Sequence, residues 1–146
     1  MHLADLLKNT LLVNAVLSWG AAQVIKTIIY AVANRRLEWE RLFGDGGMPS
    51  GHSATVTALA VTAGLEYGLD SAVFALAAVF AIVVMHDAMG VRREAGRHAK
   101  ALNELMELVQ SDLSADDKLK ELLGHTPLQV LSGAALGVVM ALLLSL

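Results

Sequence analysis

The sequence predicts an all-α integral membrane protein, a helical bundle of about four transmembrane helices with two short cytoplasmic helices beside it. Three observations predict it. The chain is 55 % hydrophobic with a mean hydropathy of +0.56, too apolar for an ordinary soluble domain. Four stretches approach the length of about 20 residues that crosses a bilayer. The basic residues, finally, collect in two of the connections between those stretches. At 146 residues the chain is expected to form a single domain. It has no cysteine, which excludes a disulfide framework, thiol chemistry and a cysteine-ligated zinc. A net charge of −3 without a basic tail argues against a nucleic-acid partner. Met1 to Lys8 lacks the basic start and short apolar core of a removable signal peptide.

The expected spans are residues 10–33, 53–69, 71–89 and 127–146. Gly68 to Ser71 alone separates the second from the third, so these two form a tight hairpin. Small residues such as Ala58, Gly64, Gly133 and Gly137 recur in the later spans. They let helices approach closely in lipid, where apolar bulk alone gives helices no reason to associate. This order puts loops 34–52 and 90–126 on one side of the membrane and both chain ends on the other. Nine of the eleven Lys and Arg residues then fall in those loops, leaving Lys8 on the far side and Lys26 inside the first span. By the positive-inside rule the two loops are cytoplasmic. Within the longer loop, Leu102, Leu105, Met106 and Val109 share one helical face over 93–110. Ser114 and Asp117 resemble a capping box opening a second short helix that Gly124 would end. Both are expected to lie along the membrane surface.

Few residues can carry chemistry. Gly47-Met48-Pro49-Ser50-Gly51-His52 sits where a polar loop meets an apolar helix. Ser50 and Gly51 can offer hydroxyl and backbone donors there, and His52 can supply or remove a proton. His125-Thr126-Pro127 opens the last span in the same way. A lone histidine near a helix start is commonly a cap or a packed polar group. Two of them, each at a proline-containing turn and facing one basic mouth, can instead divide phosphoryl transfer: one attacks phosphorus, the other protonates the leaving alkoxide. His2, His86 and His98 lack such surroundings and read as structural or surface residues. Lys26 either snorkels to the headgroups or faces inward to neutralise an anion. Arg92 and Arg93 either anchor a helix end to anionic lipid or hold phosphate bidentately. For Asp87 the choice is a salt bridge to one of those arginines or a role in positioning a catalytic group. His86, Asp87 and Glu94 would be the ligands of any metal, but nothing at ligand spacing recurs elsewhere, so no metal or other cofactor is expected.

At these residues the sequence resembles the type 2 phosphatidic acid phosphatase and vanadium haloperoxidase superfamily, and in particular its divergent branch of small membrane proteins. Pro49-Ser50-Gly51-His52 is similar to the family's second motif, in which the histidine is the general acid and the serine and glycine hold phosphate. Gly124-His125-Thr126-Pro127-Leu128-Gln129 is similar to the third, in which the histidine is the nucleophile. Asp87 to Asn103 resembles the divergent branch specifically. The resemblance covers nearly the whole chain, and it has clear departures. Lys26 is not followed by the usual arginine-proline pair. Leu119 stands where the third motif has an arginine, which Arg92 and Arg93 would replace in space. Gln129 stands where an aspartate orients the nucleophile, so it can accept a hydrogen bond from imidazole but not stabilise imidazolium by charge. The usual members have about six spans, which implies that a homodimer completes the bundle.

The resulting expectation is a multi-pass plasma-membrane (inner-membrane) phosphatase whose active face is cytoplasmic. It would hydrolyse a lipid phosphomonoester of the phosphatidylglycerophosphate or phosphatidic acid class. His125, His52, Gln129 and Asp87 form the catalytic set; Lys26, Ser50, Gly51, Arg92 and Arg93 hold the substrate. The rival reading is a non-enzymatic lipid-phosphate binder or transporter that keeps the anion site. A scaffold protein, the third reading, leaves both histidine motifs unused.

Overall fold

The computed structural model describes residues 3–36, 47–109 and 125–145, and these are all helix and turn. A short 3₁₀ helix, Leu3–Lys8, precedes α1 (Thr10–Asn34). There follow α2 (Gly51–Tyr67), α3 (Ala72–Met89), α4 (Val91–Val109) and α5 (Pro127–Leu144). The starts are written in local chemistry. The side chains of Asn9, Ser50, Ser71 and Thr126 each accept the backbone N–H three residues on, satisfying donors that the first turn leaves unpaired. At the turn between α2 and α3, Gly68 takes φ 86° and returns its N–H to the Gly64 carbonyl. The second predicted surface helix, Ser114 to Gly124, lies outside the described residues.

Contacts at both ends fix the directions of the helices. At one end the Ser50 N–H donates to the Gln129 carbonyl at 3.0 Å, and the His125 N–H donates to the Ala88 carbonyl at 3.1 Å. At the other, Asn14 Nδ2 donates to Thr62 Oγ1 at 3.1 Å and to Ser145 Oγ at 3.2 Å. Hence α2 and α5 run parallel, and α1 and α3 run against them. The starts of α2 and α5 share one end of the bundle with the finishes of α1 and α3. Three helices, α1, α3 and α5, are long and apolar enough to cross a membrane. At 17 residues α2 is shorter, but it spans the same layer as α5 and packs against α1, α3 and α5.

The distribution of side chains is that of a membrane bundle. Large apolar residues such as Val16, Ile28, Leu76, Ile82, Leu131 and Leu143 point outward and are exposed. The interior is small and polar: Ala22, Ala54, Ala58 and Ala63 are fully buried, as are Ser18, Ser50, Ser53 and Thr62. Gly133 and Gly137 on α5 allow the closest approach. A Cβ on Gly133 would collide with the Ser50 carbonyl oxygen, and one on Gly137 with that of Ala54. Beside the bundle, α4 starts immediately after Gly90 and packs against α3. It exposes Leu102, Leu105 and Leu108 and carries the exposed pairs Arg97–Glu94 and Lys100–Glu104, which contribute little to stability.

Candidate functional site

The two histidine motifs meet where α2 and α5 begin. Thr126 caps α5, Pro127 occupies its first turn, and His125 precedes the cap, buried to 5 % exposure. Ser50 caps α2, which leaves His52 in the first turn and half-buried. The imidazole centroids lie 6.0 Å apart with planes at 60°. Two helix N-termini therefore converge on one spot, each with a partial positive charge that favours an anion.

Lys26 adds a full charge. Its side chain is buried to 6 % exposure, and its stem crosses Gly47, where a Cβ would stand 3.0 Å from Lys26 Cγ. Gly47 also has φ 92°, a conformation that side-chain-bearing residues seldom adopt. Position 47, two residues ahead of Pro49, is thus a glycine for two reasons, backbone conformation and room for the lysine. Ser50 is fully buried. Its backbone N–H is committed to Gln129 and its oxygen accepts from the Ser53 N–H at 3.3 Å. As a ligand contact it therefore has its hydroxyl proton to offer, not its amide. Gly51 is buried beside Trp19.

Gln129 has two tasks. Its Oε1 accepts the Thr126 N–H at 3.0 Å, and its own N–H donates to Thr126 Oγ1 at 3.3 Å, a complete capping box. The same Oε1 faces His125 Nδ1 at 3.3 Å. A backbone N–H demands an acceptor, which fixes the amide with its oxygen toward the ring. A carbonyl oxygen cannot donate, so this bond puts a proton on Nδ1, and in the neutral ring Nε2 then keeps its lone pair. The Thr-x-x-Gln spacing was a visible capping-box signal, and it explains how a neutral residue holds a position where the resemblance calls for a carboxylate.

The remaining predicted residues sit differently. Asp87 is exposed near the end of α3, and no contact joins its side chain to either histidine; its neighbour Ala88 reaches the site through the main chain. Arg92 and Arg93 lie in the first turn of α4, and their side chains are outside the described part of the structure. Among the described residues no three His, Asp or Glu side chains cluster at metal-binding distance. Sequence reasoning missed three buried polar residues, Ser18, Gln23 and Ser53. For Ser18 a signal was present, since Asn14, Ser18 and Lys26 recur at multiples of four along an otherwise apolar span; Gln23 and Ser53 lie outside that series.

A family model described as the divergent PAP2 family matches residues 7–140. The chain belongs to the divergent PAP2 family. It is also 42 % identical to the uncharacterized membrane protein YuiD of Bacillus subtilis (strain 168), over 97 % of each chain. No solved structure matches. A divergent PAP2 chain with an inside-out helical bundle is a membrane protein of a phosphatase-related family.

Proposed function

We propose that this protein is a phosphatase of membrane lipid phosphates, acting at the cytoplasmic leaflet of the plasma membrane on a phosphomonoester of the phosphatidylglycerophosphate or phosphatidic acid class. The observation that carries the reading is the pair of imidazoles, 6.0 Å apart, at two converging helix starts beside a buried lysine. Lys26, the Ser50 hydroxyl and the first-turn N–H groups of α2, Gly51 among them, hold the phosphoryl oxygens. His125 Nε2 attacks phosphorus while the ester P–O bond breaks, and His52 gives its proton to the departing alkoxide. Water then attacks the phosphohistidine, passing a proton to His52, and the P–N bond breaks to release phosphate. Arg92 and Arg93 are proposed to add charge from α4, and Asp87 to help position it. No metal or cofactor takes part in these steps. The concentration of basic residues at the site's end of the bundle supports the cytoplasmic orientation, and a homodimer would complete the bundle.

The test incubates the purified protein in detergent with a panel of lipid phosphates and a chelator. Phosphate release that resists chelation is expected, and Lys26→Met is expected to weaken it mainly through KM. The binder reading has one observation in its favour, the neutral Gln129 beside His125. Tight binding of vanadate or lipid phosphate with no release would establish it instead.

Gln129 separates positioning from packing. Gln129→Leu removes the ring contact and the returning half of the capping box while Thr126 still caps the helix, and turnover is expected to fall at least about tenfold. Gln129→Glu keeps the acceptor and adds a charge that stabilises imidazolium, so its rate should equal or exceed that of the unaltered protein. Steady-state rates of both variants check this, and a glutamate variant as slow as the leucine one would refute the positioning role.

A further inference from the structure

Three buried side-chain oxygens have no hydrogen-bond partner among the described residues: Ser18 Oγ, Gln23 Oε1 and Ser53 Oγ. Ser18 and Ser53 are fully buried and Gln23 is 7 % exposed. Leaving such groups unpaired in an apolar surrounding is costly, so they mark places where something polar binds.

The packing of α1 on α2 puts two of them, on Gln23 and Ser53, in one layer, with Ser18 more than a turn deeper. Helices α1 and α2 run antiparallel, with Lys26 against Gly47, Trp19 against Gly51 and Asn14 against Thr62. Counted from the Asn14–Thr62 bond at about 1.5 Å per residue, that register sets Gln23 level with Ser53, in the first turn of α2, and Ser18 about 7.5 Å deeper, near Ala58. Gln23 lies one turn below Lys26 on the same buried face of α1. The backbone of α5 closes the layer at Gly133, where a Cβ would stand 2.9 Å from Ser53 Cβ. The Gln23 and Ser53 oxygens thus lie immediately deeper in the bundle than the proposed phosphate site.

We infer that this layer is a subsite for a hydroxyl group on the alcohol portion of the substrate. The inference rests on the phosphate-site reading above and adds a substrate class to it: phosphate monoesters that carry a second hydroxyl on the carbon next to the ester carbon. An anionic oxygen does not fit, because an amide oxygen repels it. An ammonium fits poorly beside Lys26. A hydroxyl both donates and accepts, so it can satisfy the Gln23 amide oxygen and the Ser53 hydroxyl together. A site built to pair a hydroxyl discriminates against the analogue that lacks it, because its own buried groups are then left unpaired.

The experiment compares glycerol 1-phosphate with n-propyl phosphate, using the full chain in detergent. Affinities come from isothermal titration, and phosphate release is followed in parallel. The diol ester is expected to bind about three- to tenfold more tightly, with the ratio falling toward one in Gln23→Leu and in Ser53→Ala. Gln23→Met serves if the leucine variant does not fold. Equal affinity in the unaltered protein, or a preference that survives both substitutions, overturns the subsite and leaves the layer to water. Release from both esters without preference overturns the subsite while the phosphatase reading stands. Preferential binding without release upholds the subsite and sinks the phosphatase. If neither ester binds, both fall.

Discussion

Replacing His125 by alanine is expected to reduce phosphate release by at least about 10³-fold, the scale of loss when a covalent nucleophile is removed. The substitution is a clean probe. The hydrogen bond that ties this position to α3 comes from the backbone N–H of residue 125 to the Ala88 carbonyl, and alanine keeps it. The cap of α5 by Thr126 and Gln129 is likewise untouched. Any loss therefore reports on the ring itself. His52→Ala should behave differently. With an alkyl ester the rate should fall about 10²- to 10⁴-fold, because the alkoxide departs unprotonated. With an aryl phosphate, whose leaving group needs no proton, the first step should survive while the second, which uses His52 to activate water, slows. A phosphoryl label should then accumulate on His125 and be visible as an acid-labile adduct by mass spectrometry. Near-normal release by the His125→Ala protein would remove this histidine from the chemistry and transfer the nucleophile's role to another group.

The sequence carried the helical class and the meeting of the two histidine motifs for different reasons. Apolar length is a coarse property summed over many residues, so α1, α3 and α5 announce themselves. The site was legible because Pro-Ser-Gly-His and His-Thr-Pro each mark a helix start, and parallel helices that begin at one membrane face must bring such starts together. What was hard to read depends on partners distant in the chain. Gln129 looked like a defect when compared with an aspartate, and became intelligible once its oxygen was found shared between the Thr126 amide and the His125 ring. Ser50 was read for its hydroxyl, and its backbone N–H proves to be spent holding α5. Gln23 is a mild residue in an apolar run, and its burial appears only when the helices are packed together. Asp87 shows the converse. It lies at the end of α3 that the site occupies, yet a helix turns successive side chains by about 100°, and it is Ala88 that is buried while Asp87 is exposed.

Gly133→Ala is expected to damage both stability and turnover, although it adds one methyl group. The added Cβ would run into the carbonyl oxygen of Ser50 and press on Ser53 Cβ. The first obstacle is backbone, so no rotamer change relieves it and α5 must move away from α2. Overpacking of this kind costs about 1–3 kcal/mol, which a lower unfolding midpoint in detergent would register. The same displacement stretches the Ser50 N–H bond to the Gln129 carbonyl, now 3.0 Å, and separates the two imidazoles. Because a misplacement of about 1 Å can cost 10²-fold in rate, turnover should fall even well below the unfolding temperature. Two companions isolate the cause. Gly20→Ala meets nothing within 4 Å and should be neutral or mildly stabilising, since alanine is the better helix former. Gly137→Ala meets the Ala54 carbonyl oxygen, about 6 Å farther along α5. It should lower stability comparably while reducing the rate less, because the end of the helix that carries His125 is then farther from the wedge. Equal rate losses at 133 and 137 would mean that the glycines serve packing alone. A steeper loss at 133 would show that helix contact sets the distance between the two histidines.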